Sequence, residues 1–316
     1  METIKVNLAE HGYPIWIDQH LLDRLPETLA DNWHGKQLIV ITQNLLAKQY
    51  GQELIVALNK SGFKAAQLLL PAGEKAKTLK QVENIYQQLV DLNCDKETLL
   101  IALGGGTVGD VTGFVAATYL RGISYLQVPT TLLAMVDSAI GGKTGVNLPH
   151  GKNLVGAIHQ PVAVAIDSAV LATLPRREIA SGLAEVLKYG AIWDRKFWFY
   201  LSKNLNSMLD LSQEPLMKAI RKSCAIKTKI VVQDEHEQDL RRILNFGHTV
   251  GHALENLSGY GRLTHGEAVG LGMLCAGEIS HNRGLINDDD WQSLRTTLRR
   301  LPLPAVPKIT NTEVLE

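Results

Sequence analysis

The sequence predicts an α/β domain built on a parallel sheet, followed by an all-helical domain, with the boundary near Leu174-Pro175. Two observations carry this. In residues 1–174, short continuous apolar or β-branched runs alternate with stretches of helical periodicity, the grammar of a parallel sheet covered on both faces. In residues 175–316, strand-like runs give way to helical ones such as Glu178–Tyr189, Leu216–Val232 and Gly266–Ser280. A length of 316 residues suits two average domains.

Taken in order, Thr3–Leu8 and Pro14–Asp18 pair as an antiparallel edge hairpin. Gln37–Thr42 is a strand and Leu45–Lys60 an amphipathic helix. Ala66–Leu70 is the next strand, and Thr78 caps a helix that runs to about Asn93. Thr98–Leu103 is an apolar strand, a glycine run follows, and a helix extends from about Val108 to Tyr119. Tyr125–Val128 and Val162–Ile166 complete the sheet. Asn311-Thr312-Glu313-Val314-Leu315-Glu316 reads as a capped helix start, so the native chain is expected to continue past Glu316.

Composition narrows the function. Thirty-two basic and thirty-two acidic residues cancel, which argues against a nucleic-acid or acidic-membrane partner. Met1-Glu2-Thr3-Ile4-Lys5 shows no basic segment leading into an apolar one, and no run is long enough to span a bilayer. Cys94, Cys224 and Cys275 are scattered and odd in number, which suits reduced core thiols in a cytoplasmic protein.

Four segments carry chemistry. Asn245-Phe246-Gly247-His248-Thr249-Val250-Gly251-His252-Ala253-Leu254-Glu255, then Thr264-His265-Gly266-Glu267, crowd three of ten histidines into a short stretch. His248 and His252 are four apart and share a helix face, which suits a divalent metal such as zinc, a proton-transfer site, or simply packed or surface histidines. Gly104, Gly106 and Gly109 satisfy G-x-G-x-x-G between a strand and a helix, either a dinucleotide turn or an ordinary tight one. It departs from the usual fingerprint, because it does not follow the first strand and no acidic residue lies about twenty residues on. Gly142-Lys143-Thr144 is not a P-loop, since the glycine required at position 137 is Asp137. Lys143, Lys152 and Asn153 on glycine-rich loops still suit an anionic small molecule, or are solvated side chains on a hairpin. Glu185 and Lys188, three apart on an otherwise apolar helix, are either a surface ion pair or a metal ligand beside a substrate contact. Lys227, Lys229, Arg241 and Arg242 flank the histidines.

Together these segments resemble the 3-dehydroquinate synthases, within the sugar phosphate cyclases. The matching pieces are Gly104–Asp110, Val128–Ala134, Asp137–Asn153, Glu185–Gly190, Arg241–Glu255 and His265–Val269, in the family's order over most of the chain. The resemblance implies a Rossmann-like N-terminal domain holding NAD and a C-terminal helical domain holding one divalent metal, zinc or cobalt. It makes Glu185, His248 and His265 the metal ligands. His252 becomes a neighbour that helps bind or deprotonate substrate, which corrects the pairing suggested by spacing. Lys143, Lys152, Asn153, Lys188, Lys227, Arg241 and Asn245 match substrate-binding positions, and Arg121 one that reaches the substrate phosphate across a homodimer interface. Gly73, Glu74, Lys77, the turn Gly105-Gly106-Thr107-Val108-Gly109-Asp110, Thr130, Thr131, Asp137, Lys143, Lys152 and Thr173 would surround NAD. The implied substrate is 3-deoxy-D-arabino-heptulosonate 7-phosphate, turned into 3-dehydroquinate and phosphate by transient oxidation, elimination, reduction and aldol cyclisation in the shikimate pathway.

Two departures are visible. Thr42-Gln43-Asn44 stands where relatives often have Thr-Asn-Glu, and a further C-terminal lysine near the substrate carboxylate is not found within these 316 residues. A polyol dehydrogenase would need little of the basic array, and a cyclase for an uncarboxylated heptulose phosphate would not need Lys227 and Arg241. A non-enzymatic metal-stabilised module would use the glycine turns and lysines only as scaffold.

Overall fold

The computed structural model describes residues 1–8, 11–235, 237–258 and 262–305. Two compact units divide the chain, Met1–Leu171 and Ala172–Glu316.

The first unit runs β1 (Glu2–Val6), β2 (Tyr13–Asp18), α1 (Leu21–Trp33), β3 (Gln37–Gln43), α2 (Asn44–Leu46), a π turn at Ala47–Gly51, and α3 (Gln52–Lys60). It continues β4 (Lys64–Leu70), α4 (Leu79–Asp91), β5 (Leu99–Gly104), α5 (Gly106–Thr118), β6 (Ser124–Pro129), β7 (Lys143–Leu148), β8 (Gly151–Ile158) and β9 (Ala163–Asp167). Seven strands form one sheet in the order β1-β2-β9-β6-β5-β3-β4. Only the β1–β2 edge pair is antiparallel. The expected edge hairpin is therefore present, and the central strands are apolar on both faces.

Alternation along the strands sorts the core into two layers. Leu38, Val40, Leu99, Ile101 and Leu103 pack with Leu21, Leu25 and Leu29 of α1 and Leu54 and Leu58 of α3. Ile39, Ile41, Leu100 and Ala102 pack on the other face with Val82, Ile85 and Leu89 of α4 and Val108, Val111 and Val115 of α5. The chain after β3 thus covers one face and the chain after β5 the other, although the two strands are neighbours. Their carboxyl ends form a topological switch point, where open α/β sheets bind ligands. Thr42 Oγ1 ties them together by donating to Leu103 O at 2.7 Å. The glycine turn follows neither the first strand nor an edge strand; it sits at this switch.

Two local expectations are corrected. Leu45–Lys60 is not one regular α-helix, because Ala47–Gly51 takes a π turn. The helix expected from Val108 opens at Gly106. Of the two placements open for Lys143 to Asn153, loops give way to the hairpin: the segment lies on the antiparallel pair β7–β8, apart from the main sheet. Gly145 and Gly156 face each other there so closely that a Cβ on Gly145 would meet Val155 O at 2.6 Å. Thr78 caps α4 as expected, accepting from Gln81 N at 3.3 Å. Residues 311–316 lie outside the described residues.

In the second unit every described element is helical: α6 (Arg176–Trp193), α7 (Arg195–Leu209), α8 (Gln213–Gln233), α9 (His248–Ser258), α10 (His265–Asn282) and α11 (Asp288–Leu298), with a short 3₁₀ turn at Leu240–Asn245; another, Ser168–Thr173, spans the boundary between the units. Glycine lets α10 approach its neighbours' backbones. A Cβ on Gly266 would overlap the Ser181 carbonyl of α6, and one on Gly272 the carbonyl of Gly247, whose φ is 82°. No described helix is long and apolar enough to cross a membrane. Cys94 and Cys224 are buried, but Cys275 is only partly so, which corrects its assignment to the core.

Candidate active site

In the first unit the site grows from the N-terminus of α5. Its N-cap, Gly105, offers no side-chain cap, so the leading N–H groups of the helix are available to an anion. Gly106 is close to Ser138, and a Cβ there would meet Ser138 Oγ at 2.9 Å; one on Gly105 would meet Thr131 Cγ2 at 3.1 Å. Thr130 lies on the same rim, its N–H donating to Gly104 O at 3.0 Å. The Val108 side chain is in the core, so this residue can offer a cofactor only backbone. Gly109 is held against Gln127, 2.7 Å from a notional Cβ to Oε1. Asp137 belongs to the π turn Ala134–Ser138. Gly73, with φ 67°, opens the 3₁₀ turn Gly73–Ala76, and a Cβ there would meet nothing within 4 Å. A glycine turn at the switch point with an uncapped helix end fits a dinucleotide pyrophosphate.

A polar network links this turn to the hairpin. Lys77 Nζ donates to Asp110 Oδ2 at 2.5 Å, and burial pushes the Asp110 carboxyl up against that cation's pull. Glu74 accepts from Thr107 Oγ1 at 3.3 Å and from Asn147 Nδ2 at 2.6 Å. Asn147 N donates to Lys77 O at 2.8 Å, and Asn153 N donates to Asn147 Oδ1 at 2.9 Å. Asn147 thereby sets Asn153, whose φ is 56°. Lys143 begins β7 with an exposed side chain, and Lys152 is half-buried on β8. Arg121 sits elsewhere, on an exposed turn where Leu120, Arg121 and Gly122 have φ of 49°, 65° and 121°.

In the second unit three helices converge. Glu185 on α6 is wholly buried, and Lys188 one turn on is 1% exposed and in direct contact with Glu185 Oε2. That excludes a surface ion pair. His248, first residue of α9, places Nε2 3.6 Å from Glu185 Oε1; His265, first residue of α10, places Nε2 3.4 Å from the same oxygen. The donor atoms of Glu185, His248 and His265 lie within 4.8 Å of one another. One carboxylate and two imidazoles on separate helices are the donor set of a three-ligand zinc- or cobalt-type site. His252 stays beside the cluster, its ring centroid 5.4 Å from His248 and 6.0 Å from His265, but it is exposed and points to a second group with Glu255 and His265.

The electrostatics favour a cation. Burial disfavours charge on His265, yet the carboxylates of Glu185 and Glu255 outweigh it and hold the imidazolium up to about 10. Glu255 faces His265 Nδ1 at 3.6 Å, the nitrogen turned away from Glu185. Sequence reasoning gave Glu255 no role; its i+3 spacing from His252 was the available signal.

The basic residues separate by burial. Lys227 on α8 is 5% exposed and Arg241 2%, whereas Lys229 and Arg242 are exposed. Arg241 is held by its own segment: Nη1 donates to Glu235 O at 2.7 Å, and its N–H to Asp234 Oδ2 at 2.9 Å. Asp234 also accepts from Gln238 N and Asp239 N, and these backbone donors lower its carboxyl to about 2. Asn245 is exposed and donates to Glu237 Oε1 at 3.3 Å. Thr173 is exposed at the end of the 3₁₀ turn Ser168–Thr173, apart from the metal-ligand candidates in sequence.

Comparison with known proteins gives these geometries a family. The model of the 3-dehydroquinate synthase N-terminal region matches residues 67–181, and that of the 3-dehydroquinate synthase C-terminal region matches 182–316. A 3-dehydroquinate synthase of Desulforamulus reducens is 46% identical over 304 residues, covering 96% of this chain and 85% of that protein. Among solved structures, 2-deoxy-scyllo-inosose synthase complexed with carbaglucose-6-phosphate, NAD+ and Co2+ superposes with a TM-score of 0.91 at 27% identity, covering 99% of this chain and 86% of that one. The 2-epi-5-epi-valiolone synthase of Streptomyces hygroscopicus, with NAD+ and Zn2+ bound, gives 0.88 at 28% identity, covering 98% and 86%. With both halves matched and near-half identity over almost its whole length, this chain belongs to the 3-dehydroquinate synthase family.

Proposed function

We propose that this chain converts 3-deoxy-D-arabino-heptulosonate 7-phosphate to 3-dehydroquinate and phosphate, in the shikimate route to chorismate and the aromatic amino acids. The observation that carries this is the buried Glu185 carboxylate, touched by Lys188 and faced by His248 and His265, in a chain whose relatives bear that activity's name.

Glu185, His248 and His265 would hold one divalent metal, zinc or cobalt; the α5 turn with Gly73, Glu74, Lys77, Thr107, Asp110, Thr130, Thr131 and Asp137 would hold NAD, and the family resemblance alone adds Thr173. Once bound, a metal there would supply Lewis acidity toward a substrate hydroxyl, and NAD a reversible hydride acceptor. The chain's own groups do the rest. Arg241 grips the substrate carboxylate with two parallel hydrogen bonds, and Lys227 adds charge from a buried position. The family resemblance alone assigns Lys143, Lys152 and Asn153 of the first unit, and Lys188 and Asn245 of the second, to the remaining oxygens, where such donors would stabilise the charge of departing phosphate. His252, exposed beside the other two histidines, takes up or returns a proton.

A cytoplasmic homodimer completes the proposal. Three free cysteines support the first part. The second rests on the family resemblance, which makes Arg121, on its exposed turn, a residue that serves a second copy's phosphate. In mixed dimers, inactive Arg121→Ala and Lys188→Ala subunits are expected to regenerate activity; none in verified mixtures would refute the sharing.

The activity is tested by supplying NAD and the heptulosonate phosphate while following phosphate and NADH together. Phosphate release that needs NAD without matching NADH accumulation is expected. Steady NADH in step with turnover would instead make the chain a net dehydrogenase.

A further inference from the structure

His265 is the first residue of α10, where a helix has no preceding turn to hold it. A ligand side chain must stay within about 0.5 Å of its working position, so something outside α10 has to fix that end.

One row of α6 does so. Arg177, Ser181 and Glu185 are spaced four apart and share a face of that helix. Arg177 Nε donates to Glu267 Oε1 at 2.6 Å, and its Nη2 donates both to Glu267 Oε2 at 2.7 Å and to Arg262 O at 2.6 Å. Glu267 closes a capping box, accepting from Thr264 N at 2.8 Å while its own N–H donates to Thr264 Oγ1 at 3.3 Å. Ser181 Oγ accepts from Gly266 N at 3.0 Å. Residues 262, 264, 266 and 267, on both sides of His265, are therefore fastened to the helix that projects Glu185.

We infer that Arg177 is a positioning residue for the metal centre: through Glu267 and the Arg262 carbonyl it sets His265 against Glu185. This rests on the proposal that Glu185, His248 and His265 hold a divalent metal. An ordinary surface ion pair would contribute little. This one differs: the Arg177 side chain is 52% exposed, but that of Glu267 is 5% exposed and the planar fork makes three contacts at once. A lysine ammonium cannot span both carboxylate oxygens and the carbonyl in the same geometry.

The test uses the full chain, Co2+ alone as the probe, chelator competition for affinity and the visible ligand-field spectrum for geometry. Arg177→Ala is expected to weaken Co2+ binding about ten- to hundredfold and to alter the spectrum, as loss of ligand-orienting partners does. Arg177→Lys should recover part of the affinity. Arg176→Ala is the control, since Arg176 on the same turn is exposed and pairs with the exposed Asp210 at 2.9 Å; its affinity should stay within about twofold. Should Arg177→Ala not fold, as judged by far-ultraviolet dichroism, Glu267→Gln takes its place with the same expected loss. Affinity and spectrum in Arg177→Ala, or in its substitute, equal to those of Arg176→Ala would overturn the inference. Unchanged affinity in His265→Ala would overturn the metal assignment beneath it, a separate and recognisable result.

Discussion

Glu185 and Lys188 touch inside the second unit, with side chains 0% and 1% exposed, and that makes their energetics measurable. In the metal-free protein, Glu185→Gln leaves an ammonium buried without its carboxylate, which costs about 3–5 kcal/mol. Lys188→Met is milder, because His265 and His248 still face the Glu185 carboxylate at 3.4 and 3.6 Å. The double variant removes both charges from the interior and should recover much of the loss. The resulting coupling energy is about 3 kcal/mol, at the upper end for contacting residues. Two compact units make global unfolding a poor gauge, so the readout is amide hydrogen exchange along α6, which reports the opening free energy of that helix. A coupling below about 1 kcal/mol, the range of exposed pairs, would refute the buried-pair argument.

Other outcomes follow from the same geometry. His248→Ala and His265→Ala should each lose tight metal binding, whereas His252→Ala should keep its metal and lose activity; equal metal loss in all three would return His252 to the ligand set. Gly106→Ala places a Cβ 2.9 Å from Ser138 Oγ at the α5 N-terminus, and should weaken NAD binding about tenfold while leaving metal affinity unchanged. Unaltered NAD binding would remove the turn from the cofactor site. In chelated protein the His265 imidazolium should persist well above neutrality. Its folded pKa of about 10 lies above the ordinary 6.5, so the stabilisation is complete below 6.5 and is lost as pH rises through about 10. Metal uptake within that window should expel one proton, and calorimetry in buffers of different ionisation heat that finds none would contradict the shift.

The sheet was legible because its strands, buried on both faces, are unbroken apolar runs such as Leu99–Leu103. Strand order was not, and with it went the switch point: local pattern does not say that β3 and β5 are neighbours whose following helices take opposite faces. The β7–β8 pair was legible only as one alternative, a hairpin, because Lys143, Gly145, Asn147, Gly151, Lys152 and Gly156 spoil any alternation of apolar residues. In the site, His248 and His252 were visible as an i, i+4 pair, yet the geometry groups His248 with Glu185 and His265 from other helices. Residue spacing reports only partners on the same helix; the resemblance to a family supplied the rest. Burial of Lys188, Lys227 and Arg241 was equally unreadable, since a cation on a helix is ordinarily solvated.

Glu185, His248 and His265 come from α6, α9 and α10, which gives a bound ion a mechanical role beside its chemical one. An ion held by all three is a removable rivet through distant turns of one chain, strengthening the assembled state by mass action. At a free metal concentration one hundred times the dissociation constant, that amounts to about 2.7 kcal/mol. Scarcity of the ion would then act twice, first on turnover and then on how long each molecule escapes proteolysis. Cells starved of the metal would hold fewer copies of the enzyme as well as slower ones, and resupply would revive only those that had survived.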